Sequence, residues 1–273
     1  MDQRVTHKQG GIPTFFDAYL ANLIDYFSGT EAVHGWKFEP GATPGTDSGN
    51  AAIGLQWLRQ FLAKHDHERF VSYGARRAID PRYACDIGPF ELAMSQGVGG
   101  CLEWMGEPLF KTVFDFALIP MLVQEVKPAT ILEIGSGTGT SARWVADMCA
   151  VAGISTQVLS VDVRPVMDGA QTGVTFHRGD CNDPASLFPV ESLRAAARPW
   201  LLIEDAHTNV VGVLRHFDGY LRRGDYLIVE DSRDKHDALG AFVTDRYRVD
   251  TRYTDFFGRN ATSAEDAIFA VVA

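Results

Sequence analysis

The sequence predicts an α/β fold: a mostly parallel seven-stranded sheet with helices on both faces, preceded by a helical and irregular N-terminal extension. Two observations predict this fold. From about residue 111, short apolar segments alternate with stretches whose apolar residues have helical spacing. The short segments are apolar throughout, as is typical of parallel strands that are buried on both faces of a sheet.

The first hundred residues lack this alternation, so we predict a domain boundary near residue 110. We interpret residues 1–110 as a helical extension that forms a lid and an oligomerisation region, and residues 111–273 as the ligand-binding domain. The aromatic and aliphatic residues of Phe15–Phe27 have helical spacing and offer a surface for a homodimer or higher homo-oligomer. Candidate lid residues are Tyr83, Trp104 and Met105.

The predicted elements follow one another in chain order, and each is bounded by a turn or breaker residue. The first helix of the domain ends before Lys127 and Pro128, because a proline disfavours helical backbone in the residue that precedes it. The remaining elements are a strand at 130–135, a helix at 140–153, strands at 157–163 and 174–180, a helix at 184–197, a strand at 200–205, a helix at 210–224 and a strand at 226–231.

The composition limits the class of protein. The chain has 273 residues, of which 46% are hydrophobic and 22% charged, as in ordinary globular proteins. A net charge of −10 argues against a nucleic-acid partner, because binding phosphates requires a basic face. The four cysteines are scattered, which indicates reduced thiols rather than a disulfide framework. Because no apolar run resembles a signal peptide or a membrane span, we expect a cytoplasmic protein that binds a small molecule and no membrane.

A glycine-rich loop follows the first strand of the domain. Gly135, Gly137 and Gly139 form a G-x-G-x-G pattern, in which the backbone can lie close to a ligand. The dinucleotide fingerprint requires glycine or alanine where this chain has Thr140, so a nicotinamide cofactor fits poorly. Glu133, just before the loop, favours a ligand with a positively charged or hydrogen-bond-donating end.

Acidic residues stand at the predicted carboxyl ends of five strands, where ligands bind in such sheets. Asp162 follows the second strand and is placed to accept the two hydroxyls of a ribose. Asp180 follows the third strand, near the expected position of an adenine edge. The five strand-end acids are Glu133, Asp162, Asp180, Glu204 and Glu230.

The E-x-G-x-G-x-G pattern at 133–139, together with Asp162, resembles class I S-adenosylmethionine methyltransferases. The resemblance implies their Rossmann-like fold and S-adenosylmethionine as cofactor, lying over the glycine loop with its amino end near Glu133 and its ribose on Asp162. The candidate cofactor-binding residues are Glu133, Gly135, Ser136, Gly137, Thr138, Gly139, Ser141, Asp162, Asp180, Cys181 and Glu204.

Two neighbouring strands each end in a pair of acids. Carboxylates repel one another unless a cation or a shared proton lies between them. Oxygen ligands at one sheet edge suit a hard cation such as Mg²⁺, which would activate a substrate hydroxyl, and His207 could then take the proton. The candidate metal ligands are Glu204, Asp205, Glu230 and Asp231, and the candidate catalytic residues are His207 and Asp205.

Three further segments, "GDCNDPASLF", "EDAHTNV" and "GDYLIVEDS", resemble the cephalosporin hydroxylase family, whose members act as Mg²⁺-dependent methyltransferases in natural-product biosynthesis. The segment "WMGEPLFKTVFD" is also similar to that family, and the likeness covers roughly residues 100–235. It implies Glu230 and Asp231 as metal ligands and His207 as general base. A third ligand is Glu204, which the spacing favours, or Asp205, which the family's usual aspartate favours.

The expected function is therefore O-methylation of a natural-product, sugar or phenol hydroxyl with S-adenosylmethionine and Mg²⁺. Two alternatives stay open. The first is a metal-independent methyltransferase that relies on His207 alone. The second is a protein of this fold that binds S-adenosylmethionine and supports a different tailoring step, such as hydroxylation or cyclisation.

Overall fold

A computed structural model of the chain describes residues 68–77, 85–164, 166 and 173–273. Its strands are β1 (Phe70–Ser72), β2 (Glu103–Trp104), β3 (Glu107–Pro108), β4 (Thr130–Ile134), β5 (Gln157–Asp162), β6 (Val174–Arg178), β7 (Trp200–Glu204), β8 (Tyr226–Val229), β9 (Tyr247–Asp250) and β10 (Ile268–Val271). Its helices are α1 (Tyr73–Arg77), α2 (Pro89–Met94), α3 (Val113–Val126), α4 (Thr140–Val151), α5 (Val190–Ala195), α6 (Val210–Asp218), α7 (His236–Phe242) and α8 (Thr251–Thr254).

Eight of these strands form one sheet in the order β1-β9-β10-β8-β7-β4-β5-β6. The five strands from β8 to β6 are parallel, whereas β10, β9 and β1 are antiparallel to their neighbours. The predicted α/β fold with a mostly parallel sheet is confirmed. The sheet has eight strands rather than the predicted seven, because Phe70–Ser72 pairs with β9 as an additional edge strand.

The edge strand β1 lies upstream of the predicted domain boundary. By their internal contacts, the residues of His67–Ala273 form one compact unit, and β1 belongs to it. The boundary near residue 110 stays a prediction. The predicted helix of Phe15–Phe27 and the candidate lid residue Tyr83 lie outside the described residues.

The helix boundaries follow local chemistry. Helix α3 begins after Thr112, whose side chain accepts a hydrogen bond from the backbone N–H of Asp115, and it ends at Lys127 in a left-handed conformation before Pro128. The predicted helix at 184–197 is instead a 3₁₀ turn at Pro184–Ser186 followed by α5. Pro189 separates the two, because proline has no N–H for a continuous helical ladder.

The core lies on both faces of the parallel strands. The four parallel strands β4, β5, β7 and β8 consist almost wholly of buried residues, which explains their uninterrupted apolar sequences. Strand register brings their carboxyl ends to one edge, since Ile134 pairs with Glu204 and Glu204 pairs with Val229. Among the described residues, no helix is both long and apolar enough to cross a membrane.

Candidate functional site

The three glycines of the loop after β4 all have positive φ, but each is needed for a different reason. A Cβ at Gly135 would lie 2.7 Å from the carbonyl of Asp205, so the chain leaving β7 packs directly against the loop. A Cβ at Gly139 would lie 2.9 Å from the ring of Phe176. Nothing lies within 4 Å of such an atom at Gly137, whose backbone therefore borders open space.

Asp162 holds the glycine loop from the end of β5. One carboxylate oxygen accepts a hydrogen bond from the N–H of Gly137 at 3.0 Å, and the other accepts from the N–H of Arg164 at 2.9 Å. A carboxylate offers about four lone-pair sites, so Asp162 keeps acceptor capacity for a ligand. The aspartate that was predicted to bind ribose thus also shapes the loop.

A cavity of about 410 Å³ opens between the glycine loop and the ends of β5, β6 and β7. Its volume suits a cofactor-sized ligand. Of the predicted cofactor-binding residues, five line it: Gly135, Gly137, Asp162, Asp180 and Cys181. Burial raises the pKa of the Cys181 thiol to about 11, so this side chain is a neutral part of the wall. Lining residues that the sequence did not single out are Val161, Val163, Gly179, Asn182, Leu187, Ala206 and Thr208.

The other predicted cofactor-binding residues do not line this cavity. Glu133 is buried under the loop, where one oxygen accepts a hydrogen bond from Ser160 and the other has no partner in the described part of the chain. Burial raises the pKa of Glu133. The hydroxyl of Ser136 also bonds Ser160, at 2.6 Å. Ser136, Thr138, Gly139, Ser141 and Glu204 are likewise not among the residues that line the cavity.

The acidic residues at the ends of β7 and β8 do not all contact one common site, and Glu204 in particular has partners of its own. Glu204 is fully buried at the end of β7, and its carboxylate accepts hydrogen bonds from Lys235 at 2.8 Å and from the N–H of Ala206 at 3.1 Å. Glu204 therefore already has a buried cationic partner. Of the two predicted candidates at this strand end, the geometry favours Asp205 as the residue available to a metal.

Lys111 lies between the acids of β7 and β8. Its ammonium is 3.3 Å from a carboxylate oxygen of Asp205 and directly contacts Glu230. Burial alone would lower the pKa of Lys111, but Glu230 and Asp205 more than offset it and raise that pKa, so the ammonium is retained. In the sequence, Lys111 stood out only as part of the segment "WMGEPLFKTVFD", which is similar to the family. The feature that indicated a buried cation was the pair of acids at the end of each of two neighbouring strands.

A second cluster lies on the outer side of Asp205. The Nε2 atom of His207 is 3.5 Å from Asp205 and 3.3 Å from Asp231, and ligand atoms from all three residues lie within 4.8 Å of one another. His207 and Asp231 both have positive φ, and their side chains meet across the strand ends. The hydrogen bond to Asp205 raises the pKa of His207.

The donor atoms of this region fit a divalent cation. Two carboxylates and an imidazole are common ligands of divalent ions. The Oε1 atom of Glu230 is buried and has no hydrogen-bond partner among the described residues, so it retains capacity to bind a cation. Asp205 also lines the cavity beside the glycine loop, so the candidate metal cluster and the candidate cofactor cavity share a wall.

Comparisons with known proteins identify the family of this chain. The family model described as Rhamnosyl O-methyltransferase/CmcI matches residues 97–247. A rhamnosyl O-methyltransferase of Mycobacterium leprae (strain TN) is 28% identical over 55% of this chain and 69% of its own length. One of Mycobacterium tuberculosis (strain ATCC 25618 / H37Rv) is 26% identical over 56% of this chain and 66% of its own length.

Two solved structures of CmcI share the fold. The first, without ligand, is 29% identical with a TM-score of 0.55, covering 64% of this chain and 77% of that chain. The second, with Mg and S-adenosylmethionine, is 30% identical with a TM-score of 0.54, covering 63% of this chain and 77% of that chain. The resemblance and the enzyme class that the sequence predicted, with S-adenosylmethionine as methyl donor, are confirmed. This protein belongs to the Rhamnosyl O-methyltransferase/CmcI family of S-adenosylmethionine-dependent methyltransferases, because the model of that family matches more than half of the chain.

Proposed function

We propose that this chain methylates a hydroxyl oxygen of a small molecule, with S-adenosylmethionine in the 410 Å³ cavity and Mg²⁺ at the strand ends. One observation carries the proposal: Asp205 lines the cavity and also belongs to the Asp205–His207–Asp231 cluster. A methyl donor in the cavity would thus lie beside groups that can bind and deprotonate an acceptor.

The loop residues would bind the cofactor. The backbone of Gly137 borders the cavity without steric hindrance, and Asp162 has the acceptor capacity to bind ribose hydroxyls. Asp180 and Cys181 line the far wall, where an adenine edge would lie. Glu133 would act indirectly, by fixing the loop through Ser160.

His207 would take the proton of the acceptor hydroxyl. About half of its side chain is exposed, so an acceptor can reach the imidazole. Asp205 and Asp231 flank Nε2 and would stabilise the imidazolium that forms. Removal of a proton by a positioned base typically contributes about 10²–10⁴-fold to a rate. Because the sulfonium loses its charge on transfer, an aligned and deprotonated oxygen is the main requirement.

Asp205 and Asp231 would hold the metal, with Glu230 as a further ligand through its unpartnered oxygen. When bound, Mg²⁺ would supply Lewis acidity that favours the ionised form of the acceptor hydroxyl. We leave Glu204 out of the ligand set, since both of its oxygens already accept hydrogen bonds, one from Lys235 and one from the N–H of Ala206.

The names of the relatives favour a sugar hydroxyl over a phenol as acceptor, because those proteins are described as acting on a rhamnosyl group.

A specific observation also supports a second candidate function, a metal-independent methyltransferase with His207 as sole base. Lys111 already pairs with both Asp205 and Glu230 and offsets part of their negative charge. We further propose a homo-oligomer, to be tested by light scattering.

Incubation with S-adenosylmethionine and a panel of rhamnosides and phenols, followed by mass spectrometry, tests the function. A methylated glycoside formed with Mg²⁺ and lost in EDTA supports the main proposal. Full turnover in EDTA with loss in His207→Ala indicates the metal-independent reaction. Binding of S-adenosylmethionine without any methylated product would contradict both.

A further inference from the structure

Two lysines neutralise the acidic strand ends, and they do so in different ways. Lys235 pairs with Glu204, and both side chains are almost wholly buried, at 4% and 0% exposure. Lys111 is also buried, at 2% exposure, but its two acidic partners, Asp205 and Glu230, belong to the proposed metal site. Both oxygens of Glu204, the partner of Lys235, already accept hydrogen bonds. The carboxylates that contact Lys111 would instead be shared with a metal ion bound at the proposed site.

Asp205 is the shared group. One of its oxygens lies 3.3 Å from the Lys111 ammonium, and the other lies 3.5 Å from His207 within the candidate metal cluster. A divalent cation on this carboxylate and the Lys111 ammonium would be two cations on opposite oxygens of one group. Charges this close repel strongly inside a protein, where the effective dielectric is far below that of water.

Lys111 and a divalent cation would also compete for the carboxylate of Glu230. Its Oε2 atom contacts Lys111, while its Oε1 atom is buried without a hydrogen-bond partner in the described part of the chain. A buried carboxylate with one unpaired oxygen is costly, and a second cation would satisfy it. Lys111 therefore satisfies this acid only in part.

We propose that Lys111 is an internal counter-ion that takes the place of a divalent cation: it pairs with Asp205 and Glu230 when the site holds no metal, and it lowers the affinity of the site for metal. The inference rests on the proposed metal site and makes Lys111 a positioning residue that sets how much metal the enzyme needs.

Substitution Lys111→Met removes the charge and keeps a side chain of similar length. We expect this variant to bind Mn²⁺, the probe ion, at least about tenfold more tightly than the unmodified chain, because one repelling charge is gone. Binding is measured by the loss of the free Mn²⁺ signal in electron paramagnetic resonance. We also expect Mn²⁺ to raise the melting temperature of the variant more than that of the unmodified chain, since the ion then replaces the missing charge.

Lys235→Met is the matched control, because it removes an equally buried lysine from the neighbouring acidic strand end. Its melting temperature should fall, and its affinity for Mn²⁺ should rise by less than that of the Lys111 variant, because Lys235 acts on Asp205 and Asp231 only through space while its direct partner is Glu204. If Lys111→Met does not fold without metal, Lys111→Gln is titrated with Mn²⁺ in its place, because glutamine can still donate a hydrogen bond to Glu230.

Unchanged or weaker Mn²⁺ binding in a folded Lys111 variant, while the unmodified chain binds Mn²⁺, would overturn this inference alone. Absence of Mn²⁺ binding in both proteins would overturn it together with the metal part of the proposed function. Equal tightening in the Lys235 variant would show a general charge effect and would also overturn the role of Lys111.

Discussion

The backbone N–H of Glu230 donates a hydrogen bond to the carbonyl of Glu204 at 2.9 Å, which continues the ladder of β7 and β8 to their acidic ends. This bond places the two strand ends side by side, so their carboxylates lie in one buried, charged region. Each buried glutamate contacts its own lysine, Lys235 for Glu204 and Lys111 for Glu230. Asp205 and Asp231, one residue further along, face the imidazole of His207.

We expect Asp162→Asn to weaken S-adenosylmethionine binding by about 1–3 kcal/mol, because the charged acceptor of the loop N–H and of the ribose is lost. Isothermal titration calorimetry measures the change. The control is Asp147→Asn, on α4, where the aspartate accepts a hydrogen bond from Trp104. Equal affinity in the two variants would contradict the assignment of Asp162 to the cofactor.

We expect His207→Ala to lower the rate of methyl transfer by about 10²–10⁴-fold, because the acceptor hydroxyl loses its base. Cofactor affinity should stay within about twofold, since His207 is not among the residues that line the cavity. Single-turnover assays measure the rate and calorimetry the affinity. A rate within a few-fold of the unmodified chain would show that the proton leaves by another path.

We expect Gly139→Ala to destabilise the fold by about 1–3 kcal/mol, because the added Cβ would lie 2.7 Å from the Val166 side chain and 2.9 Å from the Phe176 ring at a positive φ of 83°. Gly153→Ala is the control, with a positive φ of 68° and no atom within 4 Å of the new Cβ. Urea unfolding measures both. Equal losses would mean that backbone strain alone, rather than the contacts with Val166 and Phe176, requires glycine at position 139.

We expect His177 to make the fold less stable in mild acid. Burial lowers the pKa of His177, and its Nε2 atom has no partner among the described residues. The unfolded chain therefore binds a proton more readily, and stability falls as the pH drops below the unfolded value of about 6.5. His177→Phe keeps an aromatic ring opposite Phe188 and should unfold in urea with a weaker pH dependence between pH 7 and 5. Parallel pH profiles for the two proteins would contradict this.

The sequence alone predicted the elements that depend on neighbouring residues. The uninterrupted apolar strands, the glycine loop and the acidic strand ends are read from short stretches, and the structure brings Asp162, Asp180 and Asp205 to one cavity. The edge strand β1 was not predicted from a three-residue segment, since its place in the sheet depends on pairing with β9 far along the chain.

Tertiary structure decided how the charges pair. Lys111 is 119 residues from Glu230 and 94 from Asp205, so no local pattern could reveal that its ammonium lies between them. The contact between His207 and Asp231 likewise depends on the adjacency of β7 and β8, after which the two residues follow. The local sequence determines where a strand ends and which charged residue stands at that end, because both depend on the residue types along the chain. Packing determines which opposite charge pairs with that residue, because a buried carboxylate is stabilised by whichever cation the fold brings into contact with it.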